Sequence, residues 1–169
     1  MSMMSIRTAT PGDRESIRRV EEHAFGQQTE AGLVDALIED GDAVVELVAV
    51  EDSQVVGHIL FSRLFVAQGG RNFPAVALAP LAVEPSFHGS GIGGALIREA
   101  HIRLRDAGEK LSVVLGDPAY YGRFGYAHQR AEKFESKYQG DALQALAWAD
   151  APDSGRLVYA SAFSTALAA

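Results

Sequence analysis

The sequence predicts an α+β domain: a hairpin meander followed by one strand–helix–strand unit at its centre. Three observations predict it. β-rich runs follow one another from Val44 to Val83, separated by the polar turns Glu51-Asp52-Ser53 and Gln68-Gly69-Gly70-Arg71-Asn72, which is a hairpin signature. Four glycines then fall within the six positions Gly89 to Gly94. A helical pattern leaves them directly, with Ile92, Leu96, Ala100 and Leu104 along one face. The 169 residues are 47% hydrophobic and 22% charged, which suits one domain, residues 1–169, with a sizeable core.

In chain order, Ile6 to Ala9 is a short strand candidate. Thr10-Pro11-Gly12-Asp13 reads as a helix start, with Thr10 as N-cap and Pro11 at the first helical position. Ile17, Val20, His23 and Ala24 recur at helical spacing until Gly26. A second helix covers Glu30 to Glu39 on an apolar face of Leu33, Val34, Leu37 and Ile38, and Asp40-Gly41-Asp42 stops it. Val44 to Val50 and Gln54 to Val66 form the hairpin. The strand Ala75 to Val83 ends before Pro85, which has no N–H for a ladder and restricts the residue before it. The helix Gly91 to Ala107 stops at Gly108. Leu111 to Leu115 is a short strand of the buried parallel type. Asp117 caps a helical turn that starts at Pro118, carries Ala119, Tyr120 and Tyr121, and ends at Gly125. Ala142 to Trp148 and Arg156 to Ala162 are read as strands around a loop, Ala151 to Gly155.

Glycines at Gly89, Gly91, Gly93 and Gly94 let the backbone turn tightly and let a ligand approach it. The helix that follows begins with N–H groups that have no internal partner, at the positive end of its dipole. Together these make an anion site, most naturally for phosphate; the bland alternative is a glycine turn with no ligand. Gly89-Ser90-Gly91-Ile92-Gly93-Gly94 also matches the dinucleotide pattern G-x-G-x-x-G, with Asp117 at the end of the next strand as a ribose-binding acid. Against that, Glu84 to His88 separate the glycines from their strand, and the motif follows antiparallel strands in mid-chain. No Lys-Ser/Thr follows the glycines, which excludes a Walker A loop.

A formal net charge of −7 argues against a nucleic-acid or anionic-membrane surface. The absence of cysteine excludes disulfides, thiolate metal sites and a cysteine nucleophile, and no metal site is expected. No apolar run reaches the ~18 residues of a membrane span, and Met1 to Arg7 contain no secretory h-region. A soluble, cytoplasmic protein is expected.

His88-Gly89-Ser90-Gly91-Ile92-Gly93, after Leu81-Ala82-Val83-Glu84-Pro85, resembles motif A of the GNAT N-acetyltransferases, Gln/Arg-x-x-Gly-x-Gly/Ala. Tyr121-Gly122-Arg123-Phe124-Gly125-Tyr126 resembles the family's tyrosine segment. Val56 to Ser62, Leu78 to Val83 and Gly116 to Gly125 are similar to its predicted small acetyltransferases of the YhbS type. The resemblance covers about Glu21 to Phe163; His88 departs from it, standing where Gln or Arg is usual.

The resemblance implies a GNAT-like fold: a mixed, mostly antiparallel central sheet with helices on both faces, splayed between the strands ending at Val83 and Leu115. It implies transfer of acetyl from acetyl-CoA to an amine of a small molecule or peptide by direct attack in a ternary complex. The pantetheine arm would pair with Leu81, Ala82 and Val83, and the pyrophosphate would lie on His88, Gly89, Ser90, Gly91, Ile92, Gly93 and Gly94. Tyr121 matches the family's general acid to the CoA thiolate, and Tyr120 is read as packing. A phenol pKa near 10 lies above a thiol's at about 8.5, so the proton moves against a modest gradient. The base is left open among Glu22, His23, His58, Glu84, Asp117 and water. Dimers are common in the family. A CoA-binding sensor without catalysis is the alternative, suggested by His88 and the lack of an obvious base.

Overall fold

The computed structural model describes residues 4–166. β1 (Met4–Thr8) leads through a 3₁₀ turn at Pro11–Asp13 into α1 (Arg14–Phe25). The Thr10 N–H donates to Asp13 at 2.7 Å, and Asp13 also takes both amino groups of Arg7, at 2.7 and 3.0 Å. These donors hold the Asp13 carboxyl well below the usual carboxylate range. The expected start is therefore a capping box that closes a 3₁₀ turn, with the α-helix beginning three residues after Pro11, at Arg14. Gly26 ends α1 in the left-handed region, φ 67°.

α2 (Thr29–Glu39) follows, then the meander β2 (Ala43–Glu51), β3 (Gln54–Gln68) and β4 (Arg71–Val83), all antiparallel neighbours. α3 (Ile92–Asp106) returns the chain to β5 (Leu111–Leu115), which runs parallel to β4. α4 (Pro118–Tyr121) and α5 (His128–Ala131) are single turns. β6 (Phe134–Glu135), β7 (Leu143–Ala147), β8 (Gly155–Val158) and α6 (Ser161–Ala166) complete the described chain. The main path of the sheet is β1-β2-β3-β4-β5-β7, and β8 pairs with the far end of β3, where β2 has stopped. No helix among the described residues is long and apolar enough to cross a membrane.

Alternation along the strands divides the core between two layers. Ile59 and Phe61 of β3 face α3, packing with Ile92, Leu96, Ala100 and Leu104. His58 and Leu60 face the other way, where Leu60 packs with Ile17 and Val20 of α1 and Leu33, Val34 and Leu37 of α2. Helices therefore cover both faces, as the resemblance implies.

Residues 156–162, expected as one strand, divide. The strand stops at Val158, and Ala162 and Phe163 instead pack as part of α6 in the core shared with α2. Besides α6, α5 and β6 were not anticipated: they are four and two residues long, too short for periodicity to register. Burial of Ala131 and Phe134 holds them in place.

Candidate active site

β4 and β5 pair only where Val76–Leu78 meet Ser112–Val114. Beyond Leu78 the two strands part. A bulge lies at this point: Ile59 faces Leu81 and Phe61 faces Leu78, so Ala79 and Pro80 stand against Leu60 alone. An extra residue bends the strand and increases its local twist. The Glu84 N–H donates to the Val56 carbonyl at 2.8 Å. Antiparallel ladders alternate, so Ala82 turns its N–H and C=O toward β3, while Leu81 and Val83 turn theirs into the gap. His88 folds back over this edge, its Nε2 donating to the Val83 carbonyl at 2.9 Å.

The glycine turn stands at one mouth of the gap. Gly89 and Gly91 have φ of 81° and 85°, which a branched side chain resists. The first bond inside α3 runs from the Ala95 N–H to the Gly91 carbonyl, at 3.0 Å. The N–H groups of Ile92, Gly93 and Gly94 precede it and have no partner within the helix. They border a groove of about 570 Å³ whose walls include Leu81, Ala82, Val83 and His88. Arg98 and Arg123 also line it. Arg98 lies 5.0 Å over the Phe124 ring and Arg123 lies 4.9 Å over Tyr120, which holds two cations beside unpaired N–H groups in a chain of net charge −7. The fit is to a polyanion with phosphates. Ser90 points elsewhere, its hydroxyl donating to the Phe87 carbonyl.

At the other mouth lies a cavity of about 360 Å³, lined by Leu78 to Leu81 of β4, Val113 to Leu115 of β5, and residues of α1, α2 and α6. Leu81 and Phe25 line both spaces, so the two adjoin through the gap. Tyr121 lines the cavity and Tyr120 lines the groove. The Tyr120 hydroxyl fills the space beside Gly93, where a Cβ would come within 2.7 Å. The Tyr121 ring lies over Gly116, where a Cβ would stand 2.5 Å from it. Burial pushes the Tyr121 phenol up to about 12, with a smaller push from Tyr120.

The base candidates lie elsewhere. His58 is fully buried between two carboxylates, Nδ1 at 2.6 Å from Glu21 and Nε2 at 2.7 Å from Glu46, and Glu46 is also paired with Arg14. Burial opposes charge on His58, but the two carboxylates outweigh it and raise its pKa. Burial raises Glu21. Desolvation also acts upward on Glu46, but His58 and Arg14 together leave it lowered. His23 pairs with Glu84 at 3.0 and 3.1 Å. Glu22 lies 3.8 Å from Arg18. Asp117 caps α4, accepting from the Ala119 N–H at 2.9 Å. None of these side chains lines the groove or the cavity. The carboxylate that lines the cavity is Glu30. Among the described residues no group of three or more His, Asp or Glu is arranged to hold a metal ion.

Sequence reading passed over Glu30, Arg98, Arg123 and the cavity aromatics Tyr138, Tyr159 and Phe163. Arg98, on the first turns of α3 with its basic side chain near the glycines, was the one within reach of a sequence argument. The others are joined only by the fold.

The dinucleotide alternative fails on topology, because the strands before the glycine turn, β1 to β4, are antiparallel throughout. Residues 5–129 match the acetyltransferase (GNAT) domain family. Over 117 residues, 68% of this chain, the sequence is 44% identical to the uncharacterized N-acetyltransferase YjhQ of Escherichia coli K12, and the match spans 64% of that relative's length, a little under two thirds. The structure is similar to that of a GNAT family acetyltransferase from Brucella melitensis in complex with acetyl-CoA, with TM-score 0.81 and 38% identity, covering 95% of this chain and 98% of that one. It is also similar to YhbS from Escherichia coli in complex with CoA, with TM-score 0.87 and 32% identity, covering 96% and 93%. With its split sheet, its glycine turn and a family match over most of its length, the chain belongs to the GNAT family of acetyltransferases.

Proposed function

We propose that this protein transfers an acetyl group from acetyl-CoA to an amine, by direct attack in a ternary complex, with Tyr121 as the general acid. The observation that carries the reading is the gap between β4 and β5, open to a phosphate-fitting groove on one side and to a separate cavity on the other. Leu81 and the N–H of Val83 offer backbone groups to an extended pantetheine, while those of Ala82 are taken by β3 and the Val83 carbonyl accepts from His88. The N–H groups of Gly91 to Gly94 and the guanidinium groups of Arg98 and Arg123 receive the phosphates.

Acetyl-CoA supplies the acyl group and, once parted from it, a thiolate. The cavity holds the amine against the gap and excludes bulk water. An N–C bond forms and the C–S bond breaks; an ammonium that becomes an amide loses two protons, one balancing the thiol and one passing to water. Tyr121 lines the cavity and is neutral across the working range, since burial pushes its pKa to about 12. Its hydroxyl is thus always a donor to the developing sulfur charge.

Tyr121→Phe tests this. It removes one hydroxyl and keeps the volume, so kcat for amine acetylation is expected to fall roughly 10²-fold or more with KM for acetyl-CoA little changed. Tyr120→Phe is the control and changes kcat far less. Equal kcat for wild type and Tyr121→Phe on a good acceptor would remove Tyr121 from the mechanism. Tight acetyl-CoA binding by calorimetry with no thiol release on any amine, even at high pH, would favour a non-catalytic sensor.

A further inference from the structure

The chemistry of the 360 Å³ cavity is one-sided. Tyr138, Tyr159 and Phe163 form a run of rings, with centroids 5.4 Å apart for the first pair and 5.5 Å for the second. Phe25 and Tyr121 add two more aromatic walls. Among the described residues Glu30 is the one charged residue in the lining, and its hydrogen-bond partner is the amide of exposed Gln27, at 3.1 and 3.2 Å. The Tyr138 hydroxyl is buried with no hydrogen-bond partner, a state that costs free energy unless a ligand supplies one.

Aromatic faces beside a single carboxylate are what an organic ammonium group needs: rings attract its charge, and the carboxylate binds its N–H groups. The apolar remainder of the wall sorts among such amines. A sugar ring, a second ammonium or a peptide backbone would bring more polar groups than Glu30 and the one free hydroxyl of Tyr138 can pair, and unpaired polar groups are rejected strongly.

We propose that the acceptor is a monoamine: one primary ammonium on a compact apolar or aromatic body, its charge held by Glu30 and its body lying against Tyr138, Tyr159 and Phe163. The inference deepens the acetyl-transfer reading, because it names the substrate class of the same site. The acidity of the whole chain, net −7, acts in the same direction by drawing cations toward the protein.

The test measures amine binding by calorimetry on the full chain, with and without CoA, and thiol release with acetyl-CoA. The probes are phenethylamine, n-hexylamine, spermidine, glucosamine, a short lysine peptide and the uncharged phenethyl alcohol. Phenethylamine and hexylamine are expected to show the lowest Kd and KM. Glu30→Gln keeps the shape and removes the charge. It should weaken phenethylamine roughly 10- to 100-fold, the range of a charge-assisted hydrogen bond, and leave the binding of phenethyl alcohol and of acetyl-CoA nearly unchanged. Preference for spermidine, glucosamine or the peptide overturns the proposal. So does phenethylamine binding that ignores Glu30→Gln, or no saturable phenethylamine binding at all. Amine binding with these properties in a protein that neither binds acetyl-CoA nor releases thiol would sink the acetyl-transfer reading and leave the amine site standing.

Discussion

Two adjacent tyrosines show what one residue contributes here. Tyr120 lies beside Arg123 in the groove, and Tyr121 lies in the cavity over a glycine that leaves it room. Adding a methyl at Gly116 would place a Cβ 2.5 Å from the Tyr121 ring, so the ring must move. Gly116→Ala is therefore expected to lower kcat about tenfold, since small displacements of a reacting group are costly, with circular dichroism and acetyl-CoA affinity preserved. Combined with Tyr121→Phe the two losses should fall short of their sum, because both act through one hydroxyl; full additivity would mean that Gly116 acts elsewhere. Tyr121 was legible because it sits in a recognisable segment with glycines on either side. Glu30 was not. It reads as an ordinary first-turn helix acid, and only packing of α2 against α1 and α6 gives it a cavity to face.

The strand–turn–helix unit was the most legible element, and β5 has the bounds the sequence predicts, Leu111–Leu115. Its glycines carry the signal because positive φ limits the residue type. Gly91 caps α3 at φ 85°, so Gly91→Val should weaken CoA binding at least ~10-fold, by straining the turn and filling the phosphate space. Equal CoA affinity for this variant, with the fold intact, would mean that the phosphates bind elsewhere. His88 behaves differently. Its contact with the Val83 carbonyl needs only a donor, which glutamine also has. His88→Gln should therefore keep CoA affinity within a few-fold by calorimetry, and a large loss would show that the imidazole itself contacts the ligand. The last third of the chain was less legible. α5, β6 and α6 are short segments whose conformation follows from where Ala131, Phe134, Ala162 and Phe163 are buried, which no local pattern states.

Across the whole molecule, two histidines, one buried and one half-buried, set opposite pH dependences. His101, among Phe61, Tyr126 and Trp148, is pushed down to about 4 by burial, with help from Arg105. It stays neutral in the fold while the unfolded chain takes up a proton near pH 6.5, so stability falls as pH drops from 6.5 toward 4. His58 is raised by Glu21 and Glu46, so its contribution is full below pH 6.5 and is lost as pH rises through its folded value. His101→Gln should flatten the acid limb of a plot of urea midpoint against pH; an unchanged limb would assign that loss of stability to other groups. The meander and the central unit were visible in alternation and turns. The parting of β4 from β5 was known only through resemblance, because it rests on a count rather than on a residue type. With one residue more than β3 requires, β4 exchanges the roles of its odd and even positions. Val76 and Leu78 look toward α3 before the extra residue; after it Ala82 looks toward α1 and α2, and Leu81 and Val83 look toward α3. The place where the sheet opens is thus inscribed in the chain as a parity, which can survive replacement of nearly every side chain around it and fail with the loss of a single position.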